Sequence, residues 1–190
     1  DAKCLEERLD GAGRWIVAQL GKHVVSENGE SMQAVVGNLL LEQSASLALA
    51  ESCTGGLIAN WLTHVAGSSD YFLFSGITYS NRVKIDVLGV DPKTLEEHGA
   101  VDEETARQMA EGARRVAGAT YGLSTSGIAG PNGGSEDKPV GTVCIGFAAP
   151  DRSYGRRLFF PFGKRLMNKK IFAMAALDIL RRELMGISER

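Results

Sequence analysis

Glu51-Ser52-Cys53-Thr54-Gly55-Gly56 places hydroxyls between an apolar run and a helical one, flanked by glycines. At a strand-to-helix turn, free backbone N–H groups and the positive end of the helix dipole stabilise an anion. A hydroxyl there is able to serve as a nucleophile beside its own oxyanion hole. A plainer reading also fits, in which Ser52 and Thr54 cap the helix and Gly55 and Gly56 permit the turn. The stretch has neither the phosphate-loop spacing nor the glycine-x-serine-x-glycine elbow.

A serine hydroxyl needs a base. His23, His64 and His98 fall in a helical lead-in, along a helix and in an interhelical turn, and read as structural or solvated. Lys84 follows Thr78-Tyr79-Ser80-Asn81, where the first turn of a short helix points it back toward the working edge of a sheet. A partly desolvated lysine loses its proton near neutrality, although a lysine on a short helix is, alone, simply surface charge. Ser124 and Ser126 put same-face hydroxyls at a strand end that opens into Gly127-Ile128-Ala129-Gly130-Pro131. Such loops leave amides for phosphate or carbonyl oxygens, and the connection from Gly127 to Pro139 is long for an ordinary loop.

These stretches need an alternating scaffold to bring them to one edge. Leu9, Ile16, Val17 and Leu20 give a helix over Leu5 to Leu20, and Met32 to Leu40 a second behind Ser31. Strands are expected over Leu47 to Ala50, Tyr71 to Tyr79 and Thr120 to Ser126. Val140–Ala149 and Ser153–Phe160 should form an antiparallel hairpin. Helices are expected from Leu57, from Asn81 to Gly89, from Asp91-Pro92 to His98, behind Asp102, and from about Leu166 to Met185. In the helix behind Asp102, Ala106, Met109, Ala110, Ala113, Val116 and Ala117 form an apolar stripe. The pattern predicts an α/β three-layer sandwich with a mixed central sheet and an N-terminal helical extension. In such open sheets ligands favour the edge where the strands exit.

The chain has 190 residues, 44% of them hydrophobic, and its 21 basic residues are matched by 23 acidic ones for a formal charge of −2. That fits one domain with a real core and disfavours a nucleic-acid binder. No apolar run approaches the roughly 18 residues of a membrane span. Cys4, Cys53 and Cys144 have neither disulfide-framework nor metal-ligand spacing, which fits a cytoplasmic protein without a bound metal.

Ala50-Glu51-Ser52-Cys53-Thr54-Gly55-Gly56, Thr78-Tyr79-Ser80-Asn81 with Lys84, His98-Gly99-Ala100-Val101, Ser126-Gly127-Ile128-Ala129-Gly130-Pro131 with Gly133-Gly134, and Lys138-Pro139-Val140-Gly141-Thr142-Val143 together resemble the CinA C-terminal domain family. The resemblance runs from about Leu47 to Leu180. It implies a lead-in segment over 1–45 and the family domain over 46–190. It also implies the C-terminal part of a two-domain CinA, without an N-terminal molybdopterin-binding-like domain, which fits a chain beginning at Asp1.

The family includes nicotinamide mononucleotide amidohydrolases, which convert the carboxamide to a carboxylate and release ammonia without a cofactor. Carried over by position, the resemblance implies Ser52 as nucleophile, Lys84 as base, and Tyr79 and Ser126 as polar partners. Thr54, Gly55 and Gly56 would hold substrate or oxyanion, and Gly127, Gly130 and Arg165 the ribose-phosphate end. Family members commonly carry an acidic residue where this chain has Lys164 before Arg165. A homodimer is implied; a membrane or nucleic-acid partner is not. The competing readings are a non-catalytic nucleotide-binding regulatory module linked to competence and DNA damage, and a serine–lysine peptidase.

Overall fold

The computed structural model describes residues 2–187, with side chains from Cys4 onward. The helices are α1 (Ala2–Leu20), α2 (Met32–Glu42), α3 (Leu57–Thr63), α4 (Asn81–Leu88), α5 (Pro92–Glu97), α6 (Glu103–Ala117) and α7 (Arg165–Leu184). The strands are β1 (Leu47–Glu51), β2 (Phe72–Ile77), β3 (Tyr121–Gly127), β4 (Thr142–Ala148) and β5 (Ser153–Phe159). They form one mixed sheet in the order β2-β1-β3-β4-β5. β1 is parallel to both its neighbours, and β4 and β5 complete the sheet antiparallel.

Every residue of β1 is buried, as a strand covered on both faces requires. On one face Ala48 and Ala50 pack with Leu88, Val90, Leu95, Met109 and Ala113 from the α4–α6 layer. On the other, Leu47 and Leu49 join a larger core with α2, α3 and α7, including Phe147, Phe172, Leu177 and Leu180. Each such buried side chain contributes roughly 1.5–3 kcal/mol of transfer free energy. Close seating of α6 depends on absent side chains in the sheet: a Cβ at Gly146 would fall 2.0 Å from the Ala106 carbonyl oxygen.

The three-layer arrangement is the expected one, and the differences are local. β2 ends at Ile77, short of the expected Tyr79; the Thr78 N–H still donates to the Glu51 carbonyl before the chain enters α4 at Asn81. The apolar stripe of α6 departs from expectation at one position: Ala106, Met109, Ala110 and Ala113 are buried and Ala117 packs against the same core, but Val116 is 48% exposed. α1 stands apart from the sandwich, with Leu5, Leu9, Trp15, Ile16 and Leu20 exposed. No helix among the described residues is long and apolar enough to cross a membrane.

Candidate active site

Ser52 is the first residue beyond β1. Its N–H donates to the Thr125 carbonyl at 2.9 Å, while the Thr78 N–H donates to the Glu51 carbonyl at 2.9 Å. With Glu51 opposite both Ile77 and Thr125 in the ladders, Thr78, Ser52 and Ser126 form a row across the sheet exit. Side-chain alternation from Ala48 and Ala50 turns Ser52 to the α4–α6 face. Ser124 and Ser126 face the same way and donate to the Ala106 carbonyl at 2.6 Å and the Ala100 carbonyl at 2.5 Å.

Lys84 enters this row from the first turn of α4, which Ser80 caps by accepting the Val83 N–H. The lysine is fully buried. Its Nζ lies 2.8 Å from the Thr78 carbonyl, 3.2 Å from the Tyr79 carbonyl and 3.4 Å from Ser52 Oγ. Burial depresses the Lys84 pKa below the ordinary lysine value, with the Cys53 thiol the opposing influence. That thiol is itself pushed up to about 12, chiefly by burial, so it is protonated and uncharged at neutral pH. None of the ion pairs among the described residues gives Lys84 a carboxylate partner.

The turn after Ser52 is held from below. Glu51 is fully buried, and its carboxylate accepts the N–H groups of Gly56 at 3.0 Å, Ile58 at 3.2 Å and Ala59 at 2.9 Å. It therefore fills the anion-binding position at the start of α3. The Gly55 N–H donates to the Ser52 carbonyl, so both glycine amides are already committed within the chain. Gly55 and Gly56 adopt φ of +61° and +88°, a pair of left-handed residues that only glycine makes without strain. Thr54 is fully buried and shares a 2.7 Å hydroxyl–hydroxyl bond with Thr125.

Tyr79 contributes its carbonyl, not its phenol, to Lys84. The phenol is turned outward and accepts from Arg165 Nη2 at 3.1 Å, while Arg165 Nη1 donates to the Gly130 carbonyl at 2.8 Å. Arg165 thus joins the β2–α4 turn to the long β3–β4 loop. Gly127 is the last β3 residue, paired with Val143. The structure brings Ser52 and Lys84 together with the Tyr79 backbone; Ser126 is in the same row but hydrogen-bonded to Ala100. His23, His64 and His98 are all exposed.

Glu51, Thr125 and Lys169 belong to this neighbourhood and were not singled out from sequence. Lys169 Nζ lies 3.4 Å from where a Cβ on Gly55 would stand, which places a second cation one helical turn beyond Arg165. An acidic residue directly before the hydroxyl turn was the available signal for Glu51. Among the described residues, no group of three or more His, Cys, Asp or Glu side chains is placed to hold a metal ion.

Comparison with known proteins places the chain in a family. The model of the CinA C-terminal domain matches residues 29–184. A CinA-like protein of Desulfosudis oleivorans is 56% identical over 97% of this chain and 45% of its own length. Another, of Desulforapulum autotrophicum, is 57% identical over 95% of this chain and 43% of its own length. This chain therefore spans less than half the length of these relatives. Among solved structures, the competence/damage inducible protein CihA from Agrobacterium tumefaciens superposes with a TM-score of 0.77 at 36% identity, covering 81% of this chain and 93% of that one. The competence damage-inducible protein A (ComA) from Klebsiella pneumoniae gives 0.78 at 31%, covering 83% and 97%. By family model, sequence and fold together, the chain belongs to the CinA C-terminal domain family.

Proposed function

We propose that the chain hydrolyses the carboxamide of nicotinamide mononucleotide to nicotinate mononucleotide and ammonia, with Ser52 as nucleophile and Lys84 as base. The observation that carries this reading is the buried Lys84 amine at 3.4 Å from Ser52 Oγ, with no carboxylate paired to it among the described residues.

Two carbonyls and one hydroxyl surround Nζ, which donates to all three when protonated; once deprotonated, the amine keeps its N–H groups on Thr78 and Tyr79 and turns its lone pair to Ser52. Lys84 takes the Ser52 proton as Oγ bonds to the carboxamide carbon. The resulting ammonium then gives that proton to the departing nitrogen as the C–N bond breaks. An ester on Ser52 remains, and water attacks it with Lys84 again accepting a proton. The carboxylate leaves and Ser52 is restored. The turn braced by Glu51 and Thr125 presents Ser52, and because its Gly55 and Gly56 amides are taken up within the chain, the oxyanion donors, worth about 3–4 kcal/mol each in such reactions, come from other groups around Ser52.

Arg165, beside Tyr79 and the Gly130 carbonyl, is assigned to the phosphate, with the Gly127–Gly130 stretch near the ribose. Tyr79 and Ser126 are assigned as polar partners in the same cluster, and Thr54 as a brace of the turn. Ammonia release from nicotinamide mononucleotide, lost in Ser52→Ala, tests the reading. Binding of the nucleotide without ammonia release favours instead a regulatory module, in keeping with the competence/damage names that the relatives carry.

A further inference from the structure

Thr78 is 1% exposed, and its side-chain oxygen has no hydrogen-bond partner among the described residues. A buried hydroxyl left unpaired is costly, and in native proteins such groups are completed by something bound. Its location gives this a direction. Thr78 stands beside Ser52 in the sheet-exit row, and its own carbonyl holds Lys84 Nζ at 2.8 Å. Its methyl lies 3.5 Å from the position a Cβ on Gly76 would take, which puts the Thr78 side chain on the face that Gly76 shares with Ala50. The other hydroxyls of the row are occupied, Ser52 by Lys84 and Ser126 by the Ala100 carbonyl.

We infer that Thr78 Oγ1 holds the water that hydrolyses the ester on Ser52, an assignment that rests on the serine–lysine reading above. A buried polar group without a protein partner is commonly met by an ordered water, and such a water needs two to four polar partners. Thr78 Oγ1, the Lys84 amine and the ester on Ser52 supply them. The water donates one hydrogen to Thr78 Oγ1 and the other to the Lys84 lone pair. As its oxygen bonds to the acyl carbon, Lys84 takes that second proton. The C–Oγ bond then breaks and the proton passes from Lys84 to Ser52.

The test uses this chain with Thr78→Val, which keeps the shape and removes the hydroxyl, and Thr78→Ser, which keeps the hydroxyl. Because the hydroxyl has no partner among the described residues, the Thr78→Val unfolding midpoint should equal or exceed that of the parent. Incubated with nicotinamide mononucleotide, Thr78→Val should release ammonia in a burst of one per chain. It should then turn over roughly a hundredfold more slowly, with the acyl adduct on Ser52 visible by intact-protein mass. Hydroxylamine should clear that adduct, and Thr78→Ser should not accumulate it. The assignment is overturned if Thr78→Val unfolds well below the parent, if it turns over at the parent rate, or if the burst itself slows with no adduct. A parent chain that yields neither ammonia nor adduct overturns the serine–lysine reading instead, and this assignment with it.

Discussion

Lys84 Nζ stands 3.4 Å from Ser52 Oγ although the two residues belong to different elements, a strand exit and the first turn of α4. Paired carbonyls from Thr78 and Tyr79 fix the amine from the other side, so its position is set by backbone rather than by a second side chain. The consequences follow from that geometry.

Removing either partner should abolish turnover without unfolding the chain. Ser52→Ala is expected to lower kcat by ten-thousandfold or more and Lys84→Met by on the order of a thousandfold, both measured by ammonia release. Circular dichroism and unfolding midpoints should show the fold retained.

The pH dependence has a defined sign. Burial lowers the Lys84 pKa in the folded chain, so between that value and the ordinary lysine value the unfolded chain binds the proton and the folded chain does not. Stability from this group is complete above the unfolded value and is lost as pH falls through the folded one. The parent minus Lys84→Met difference in unfolding free energy should therefore grow more favourable to the parent as pH rises across that window. In the same direction, kcat/KM should rise with pH through the depressed value, because the amine is the base.

Glu51 braces the nucleophile turn with three charge-assisted bonds to backbone N–H groups. Glu51→Ala should cost about 3 kcal/mol in denaturant unfolding, and Glu51→Gln less, because one acceptor oxygen survives. Equal stability of Glu51→Ala and the parent would contradict the bracing role.

The Thr54–Thr125 pair offers a cycle. Thr54→Val leaves a buried hydroxyl on Thr125 and should cost about 1–3 kcal/mol, whereas the double Thr54→Val/Thr125→Val should recover much of that loss. Additive losses would show that the two hydroxyls do not depend on each other.

Arg165→Ala should raise KM for the nucleotide roughly ten- to a hundredfold, the scale of a charge-assisted phosphate contact, and leave KM for the unphosphorylated nucleoside unchanged. An equal effect on both would mean that Arg165 acts only by holding Tyr79 and Gly130.

The layer order and the turn positions were legible in the sequence because they follow from short-range rules. Asp91 before Pro92, Asp102 before Glu104, and Gly89 closing α4 act within a few residues, and each cap is where the pattern puts it. Sequence also named the residues that approach each other at the sheet exit, although their assigned roles depend on activity. What it did not contain were the partners that tertiary packing chooses. Nothing local tells that Ser126 spends its hydroxyl on Ala100, that Tyr79 offers Lys84 a carbonyl while its phenol goes to Arg165, or that the Gly55 and Gly56 amides are already used. Thr125 points opposite to its neighbours by strand alternation, yet its bond to Thr54 needs β1 and β3 side by side. Helical periodicity puts Val116 in the stripe of α6, yet it is exposed while Ala117 beside it packs against the core.

The most direct measurement is product mass after this chain is mixed with nicotinamide mononucleotide. The account predicts equal amounts of ammonia and of a product heavier by the replacement of an amide nitrogen with an oxygen, with neither formed by Ser52→Ala. Undiminished product from Ser52→Ala, or an unaltered nucleotide with the intact chain, would contradict it.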